Sequence, residues 1–191
     1  MSYCDFCTNL PEDDLNKIYH DTAYGIPITS DNELFGRLIL EINQAGLSWS
    51  LMLKKEQNFR LAFDYFDIEK IAEYDDVKVS ELLQDAGIIR NQLKIRSVIF
   101  NARKIIELQK KFGSFAAWLD KNDPLTLQEW VKLFKKNFKF VGGEIVNEFL
   151  MSASYLTGAH LEAFHWLMHS ADGSVSNFEI AKGLFFSTLL E

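Results

Sequence analysis

The chain has 191 residues, a formal net charge of −7, 48% hydrophobic and 25% charged residues, and only 10 Gly and 3 Pro. These values describe one domain with a sizeable core and exclude disordered, collagen-like and linker-rich classes. No apolar run approaches the ~18 residues of a membrane span, no secretory signal opens the chain, and two cysteines cannot make a disulfide scaffold, so a reducing, cytoplasmic compartment is expected.

In chain order, the first cluster is Cys4, Phe6, Cys7, Tyr19, His20 and Tyr24. Cys4-x-x-Cys7 has metal-ligand spacing, but one such pair needs partners from elsewhere. The histidines of the chain are His20, His160, His165 and His169. The aromatics read as core or as a stacking box.

Leu34, Phe35, Leu38, Ile39, Ile42 and Ala45 recur at three and four, the period of one helix face. Ser30 or Asp31 is a fitting N-cap and Gly46 a fitting stop. Glu41 borders that apolar face, and a carboxylate buried there needs a cation or an N–H donor. Leu47 stands on the following loop as a plausible apolar wedge. A second helix starts at Ser48, with Trp49 as a pocket wall, and carries Leu51, Met52, Phe59 and Phe63.

A short helix then ends near Asp85, and Gly87 suits a tight connection with positive φ. The next helix runs from about Asn91 to Phe112 on Ile95, Val98, Ile99, Ala102, Ile105 and Ile106. Two helices joined by a Gly turn, with Arg90 and Lys94 beside it, have the look of a helix-hairpin-helix spanning about residues 77–111. Such a hairpin grips a phosphate through backbone amides without reading sequence. The bland alternative is an αα corner with a Gly C-cap. Charge favours the first: Arg90 to Lys111 holds seven basic residues against Glu107 alone, and residues 131–143 add four lysines and no acid. Residues 64–85 hold eight acids and two lysines, so an acidic protein can still present a basic face to a phosphate.

Thr126 with Glu129 is a capping box for a helix through Trp130, Leu133 and Phe134. Residues 144–156 and 159–169 also have helical patterning, and Leu184-Phe185-Phe186 suggests a last docked helix. With no alternating strands, an all-α domain over 1–191 follows.

Read together, Tyr19-His20-Asp21 through Gly25, Gln44-Ala45-Gly46-Leu47-Ser48-Trp49 into Leu53-Lys54-Lys55, Asp85-Ala86-Gly87-Ile88-Ile89-Arg90, and Phe138-Lys139-Phe140-Val141-Gly142 resemble the DNA-3-methyladenine glycosylase I family. The resemblance covers about residues 3–160; the tail 165–191 is atypical. It implies a bacterial, cytoplasmic, monomeric base-excision enzyme with the helix-hairpin-helix glycosylase fold, its N- and C-terminal segments brought together. Its substrate would be double-stranded DNA containing alkylated adenine. It implies monofunctional hydrolysis of the N-glycosidic bond after base flipping, with no organic cofactor and no membrane partner. Carried onto this sequence, Glu41 and Tyr19 are the catalytic pair, Trp49, Phe6 and Tyr24 the base pocket, and Leu47, Gly87, Ile88 and Ile89 the DNA contacts, to which the charge at the hairpin adds Arg90 and Lys94. No Asp occurs from Ala86 to Leu119, which suits a narrow enzyme for a labile base.

Two departures stand out. The family joins its termini with zinc. Cys4, His20 and His160 match three ligands, but the fourth falls at Phe164. Either Cys7 or His165 completes the set, or apolar packing has replaced the metal. Ala23-Tyr24 stands where the family has Glu-Trp, and Phe6 replaces a Trp, which opens the base preference. A non-catalytic DNA-binding or damage-sensing relative of the same fold is the alternative.

Overall fold

The computed structural model describes residues 2–160. The helices are α1 (Tyr3–Thr8), α2 (Leu15–Thr22), α3 (Asp31–Gln44), α4 (Trp49–Ala62), α5 (Ile68–Ala72), α6 (Asp76–Gln84), α7 (Gln92–Phe112), α8 (Phe115–Asn122), α9 (Leu127–Asn137) and α10 (Gly143–Ser152). No strand occurs among the described residues, so the all-α expectation holds. None of these helices is long and apolar enough to cross a membrane.

The caps fall where their side chains dictate. Ser30 Oγ accepts from Glu33 N and starts α3, Ser48 Oγ accepts from Leu51 N and starts α4, and Asn91 Oδ1 accepts from Leu93 N and Lys94 N at the head of α7. The Thr126–Glu129 capping box is formed at α9. α3 stops at Gln44, and Gly46 two residues on has φ +85°, a conformation costly for any residue with a Cβ.

α3 is the central element. Leu34, Phe35, Leu38, Ile39, Leu40 and Ile42 are all buried, and the helix packs against α4, α7, α8 and α10. Gly36 is required by close approach: a Cβ there would sit 2.2 Å from the Phe66 ring. That ring belongs to a left-handed turn, Asp64–Phe66, between α4 and α5. At the start of α3, Asp31 accepts from Gln109 Nε2 (2.7 Å), Phe115 N (2.7 Å) and Ala116 N (3.0 Å), so one carboxylate caps α8 and ties it to α7.

α6 and α7 form the expected helix-hairpin-helix, with a different role for its glycine. Gly87 does not have positive φ. A Cβ there would lie 2.9 Å from Asp85 Oδ1 and 3.1 Å from Asn58 Cβ. The turn is tight there because of Asp85 and α4, not because of backbone handedness. At the other end of the described chain, Cys4 Sγ donates to Ala159 O (3.4 Å), joining α1 to the segment after α10. The expected helix at 159–169 from residue 161 onward, the atypical tail and the docked last helix lie outside the described residues.

Candidate active site

A cleft of about 730 Å³ opens between α1, α2, α3, α10 and the 44–49 segment. Glu41 comes from the middle of α3 and is only 4% exposed. Its carboxylate receives no hydrogen bond among the described residues. Burial pushes its pKa up to about 8; Arg37 opposes that rise and Glu148 of α10 adds to it. Burial thus favours the protonated form of Glu41, and a nearby cation would favour the carboxylate.

Three tyrosines and a tryptophan surround it. Tyr19 of α2 is buried, and its hydroxyl accepts from Arg37 Nη1 at 2.6 Å. Trp49, the first residue of α4, stands with its ring centroid 5.1 Å from that of Tyr19. Its indole Nε1 is buried without a partner among the described residues, an unsatisfied donor. Tyr24 donates from its hydroxyl to Glu148 Oε2 at 3.4 Å. Burial raises the pKa values of Tyr19, Tyr24 and Glu148, so the phenols remain protonated donors.

Tyr19, Tyr24, Glu41 and Trp49 thus come together as expected, whereas Phe6 does not. It is 42% exposed and absent from the cleft lining. Tyr3, one turn earlier on α1, lines the cleft instead, its ring 5.3 Å from Tyr24. The six-residue α1 is too short to reveal which face points inward.

The loop after α3 is clamped from both ends. Leu47 N donates to Gln44 O (2.6 Å), and Gln44 Nε2 donates to Leu47 O (2.7 Å), leaving the Leu47 side chain half-buried. Lys94 is corrected here. It is 8% exposed, and its ammonium donates to Asn43 O (3.0 Å) and Ala45 O (3.2 Å). A lysine at those free carbonyls complements the negative end of α3; it holds the loop and does not reach out to a phosphate.

Within the hairpin turn, Gly87 N donates to Asp85 Oδ1 (2.7 Å) and Ile88 N to Asp85 O (3.4 Å). Ile88 is buried in the core. Lys55 Nζ donates to Ala86 O (3.0 Å) and Gly87 O (2.9 Å), which pins the turn to α4. The amides of Ile89 and Arg90 have no partner among the described residues, and Arg90 is exposed. The phosphate-facing part of the expected set therefore narrows to Ile89 and Arg90.

Cys4, His20 and His160 converge, with their ligand atoms within 4.8 Å of one another. His20 Nδ1 lies 2.7 Å from Asp21 Oδ1, which leaves Nε2, 3.2 Å from Cys4 Sγ, as the lone-pair side. His160 Nε2 must carry its proton, because it lies 2.6 Å from Tyr24 O. Cys7 is fully buried, donates to Asn16 O (3.5 Å) and stands outside this group. His165 lies outside the described residues.

Residues 9–130 match the methyladenine glycosylase family model. The DNA-3-methyladenine glycosylase 1 of Escherichia coli K12 is 35% identical over 174 residues, covering 81% of this chain and 92% of that protein. The chain belongs to the methyladenine glycosylase family. A crystal structure of 3-methyladenine DNA glycosylase I shares the fold with a TM-score of 0.70 at 35% identity, covering 79% of this chain and 93% of that one. The Staphylococcus aureus 3-methyladenine DNA glycosylase I, whose structure addresses 3-methyladenine recognition, has a TM-score of 0.71 at 26% identity, covering 80% and 91%. For a methyladenine glycosylase, sequence reading missed Tyr3, Glu148, Lys55 and Arg37 as contributors. Glu148 alone left a signal, as an acid beside the apolar run Phe149-Leu150-Met151 of α10.

Proposed function

We infer that this methyladenine glycosylase excises 3-methyladenine from double-stranded DNA as a monofunctional hydrolase. The observation carrying this reading is Glu41: a buried carboxylate without a donor, facing a cleft walled by aromatic rings. Such a cleft suits a flat cation. N3-methylated adenine in DNA carries a delocalised positive charge, which rings of Tyr3, Tyr19, Tyr24 and Trp49 attract by roughly 0.5–2 kcal/mol each. Ionised Glu41 adds a charge-assisted contact that neutral adenine does not reward equally. Water attacks C1′ and releases its extra proton to solvent, the electron pair of the N-glycosidic bond goes to N9, and the base leaves neutral from an abasic site. Because the leaving group is already activated by its charge, no strong general acid is required.

The damaged nucleotide must first leave the stack. Leu47, on its clamped loop, is suited to fill the gap. Arg90 and the free amides of Ile89 and Arg90 are suited to hold a backbone phosphate without reading sequence.

Cys4, His20 and His160 suit a zinc ion, with the Asp21–His20 pair orienting one ligand as is usual around such centres. When bound, zinc would tie α1 to the chain after α10, a structural role. These are three donors of a tetrahedron that structural sites normally complete with four.

Single-turnover excision by E41Q tests the reading. The expected result is a loss of about 100-fold (~2.7 kcal/mol) in excision, with salt-dependent duplex affinity unchanged. Equal loss of both would make Glu41 structural.

A further inference from the structure

Resting on the assignment of Glu41 and Tyr19 above, we propose that Arg37 is a positioning residue of the excision pocket. From behind the cleft wall, its guanidinium sets the hydrogen-bond polarity of the Tyr19 hydroxyl and supplies the counter-charge for Glu41.

Arg37 does not line the base cleft. It lies in a second hollow of about 370 Å³, of which Tyr19 and Trp49 form part of the shared wall. Its Nη1 donates to the Tyr19 hydroxyl (2.6 Å) and to Ser152 O (3.4 Å), and Nη2 donates to Ala23 O (3.5 Å). The group is thereby fixed by α2, α10 and the turn after α2. A guanidinium has donors only, so the tyrosine oxygen must accept at this contact and its hydrogen must point elsewhere. The hydroxyl of Ser152, also beside Tyr19, already donates to Phe149 O (2.9 Å). Tyr19 is left with a hydroxyl polarised by a cation, its hydrogen directed away from Arg37.

Arg37 also stands four residues before Glu41 on α3, hence on the same side of that helix. The other titratable groups lining the cleft are Glu144 and Glu148 of α10, Tyr19 of α2, Tyr24 after it and Tyr3 of α1; all are acids. Glu148 works against ionisation of Glu41 and Arg37 works for it. Removing Arg37 leaves Glu41 with burial and a like charge, so a higher pH is needed to form the carboxylate.

The test is the pH profile of kcat/KM for 3-methyladenine excision, which reports groups of the free enzyme, for wild type, R37M, R37K and E41Q. Duplex affinity and thermal midpoint serve as folding controls. The expected result is an acidic limb that moves up by about one pH unit in R37M, with a roughly tenfold loss at pH 7 and unchanged duplex affinity. R37K keeps the limb, because the charge stays, but loses severalfold in rate. A folded R37M with the wild-type limb overturns the proposal. If R37M does not fold, the Y19F background decides. The loss from R37K vanishes there if Arg37 acts through the hydroxyl, and an undiminished loss overturns it. E41Q separates the two readings, since a limb that persists in E41Q contradicts the role of Glu41 itself.

Discussion

Glu41 makes its own contribution to the pH dependence of stability. Its pKa is pushed up to about 8 by burial, so the folded state holds a proton that the unfolded chain releases at ordinary carboxylate pH. Stability from this group is full below about pH 4.5 and is lost as pH rises toward 8. E41Q should therefore melt higher than wild type at pH 9, by about 2–4 °C per kcal/mol regained, with little difference at pH 5. Differential scanning calorimetry at the two values checks the sign, and equal melting shifts at both would refute it. Lys94 gives the second residue-level prediction. K94M should destabilise the fold by about 1–3 kcal/mol, through two lost hydrogen bonds at the end of α3, and leave the salt slope of duplex binding unchanged. A reduced slope would return Lys94 to the phosphate contacts.

At the scale of elements, the long helices and their caps were legible because each joins an unbroken apolar period to a side chain that can only serve as a cap. Ser30 (with Asp31 as the alternative) and the Thr126–Glu129 pair are of this kind, and the helix starts read at Ser48 and Asn91 fall on residues that cap. Glu41, Tyr19 and Trp49 were legible from the resemblance and from the misplaced charge on α3. Tyr3 and Arg37 were not, because their roles depend on how short segments and separate helices meet. The basic run misled for a related reason. Lys94 is buried, Arg96 pairs with Asp76 (2.8 Å), Arg103 Nε donates to Ala72 O (2.7 Å) and Lys104 pairs with Glu107 (2.7 Å). Much of the charge counted on α7 thus makes contacts within the protein: Arg96 joins α7 to α6, Arg103 joins it to α5 and Lys94 holds the end of α3. Arg90, Lys110 and Lys111 remain; of these Arg90 stands at the hairpin turn, and R90A should weaken duplex binding uniformly across sequences and reduce the salt slope by about 1. Titrations at several salt concentrations decide this; an unchanged slope removes Arg90 from the interface.

At the scale of the whole molecule, the base cleft is assembled from distant stretches: α1 and α2 at the start, α3 in the middle and α10 near the end of the described chain. The junction of Cys4 and His20 with His160 closes that arrangement. Metal analysis of protein purified without added zinc should give close to one zinc per chain, and chelation should lower the thermal midpoint; a stoichiometry near zero would contradict the proposed site. The most direct test of the central claim is chromatographic analysis of the free bases released from methylated genomic DNA. The account predicts release of 3-methyladenine with 7-methylguanine left in the DNA. No base released, with duplex binding intact, would contradict it and identify the protein as a damage-binding relative of its family.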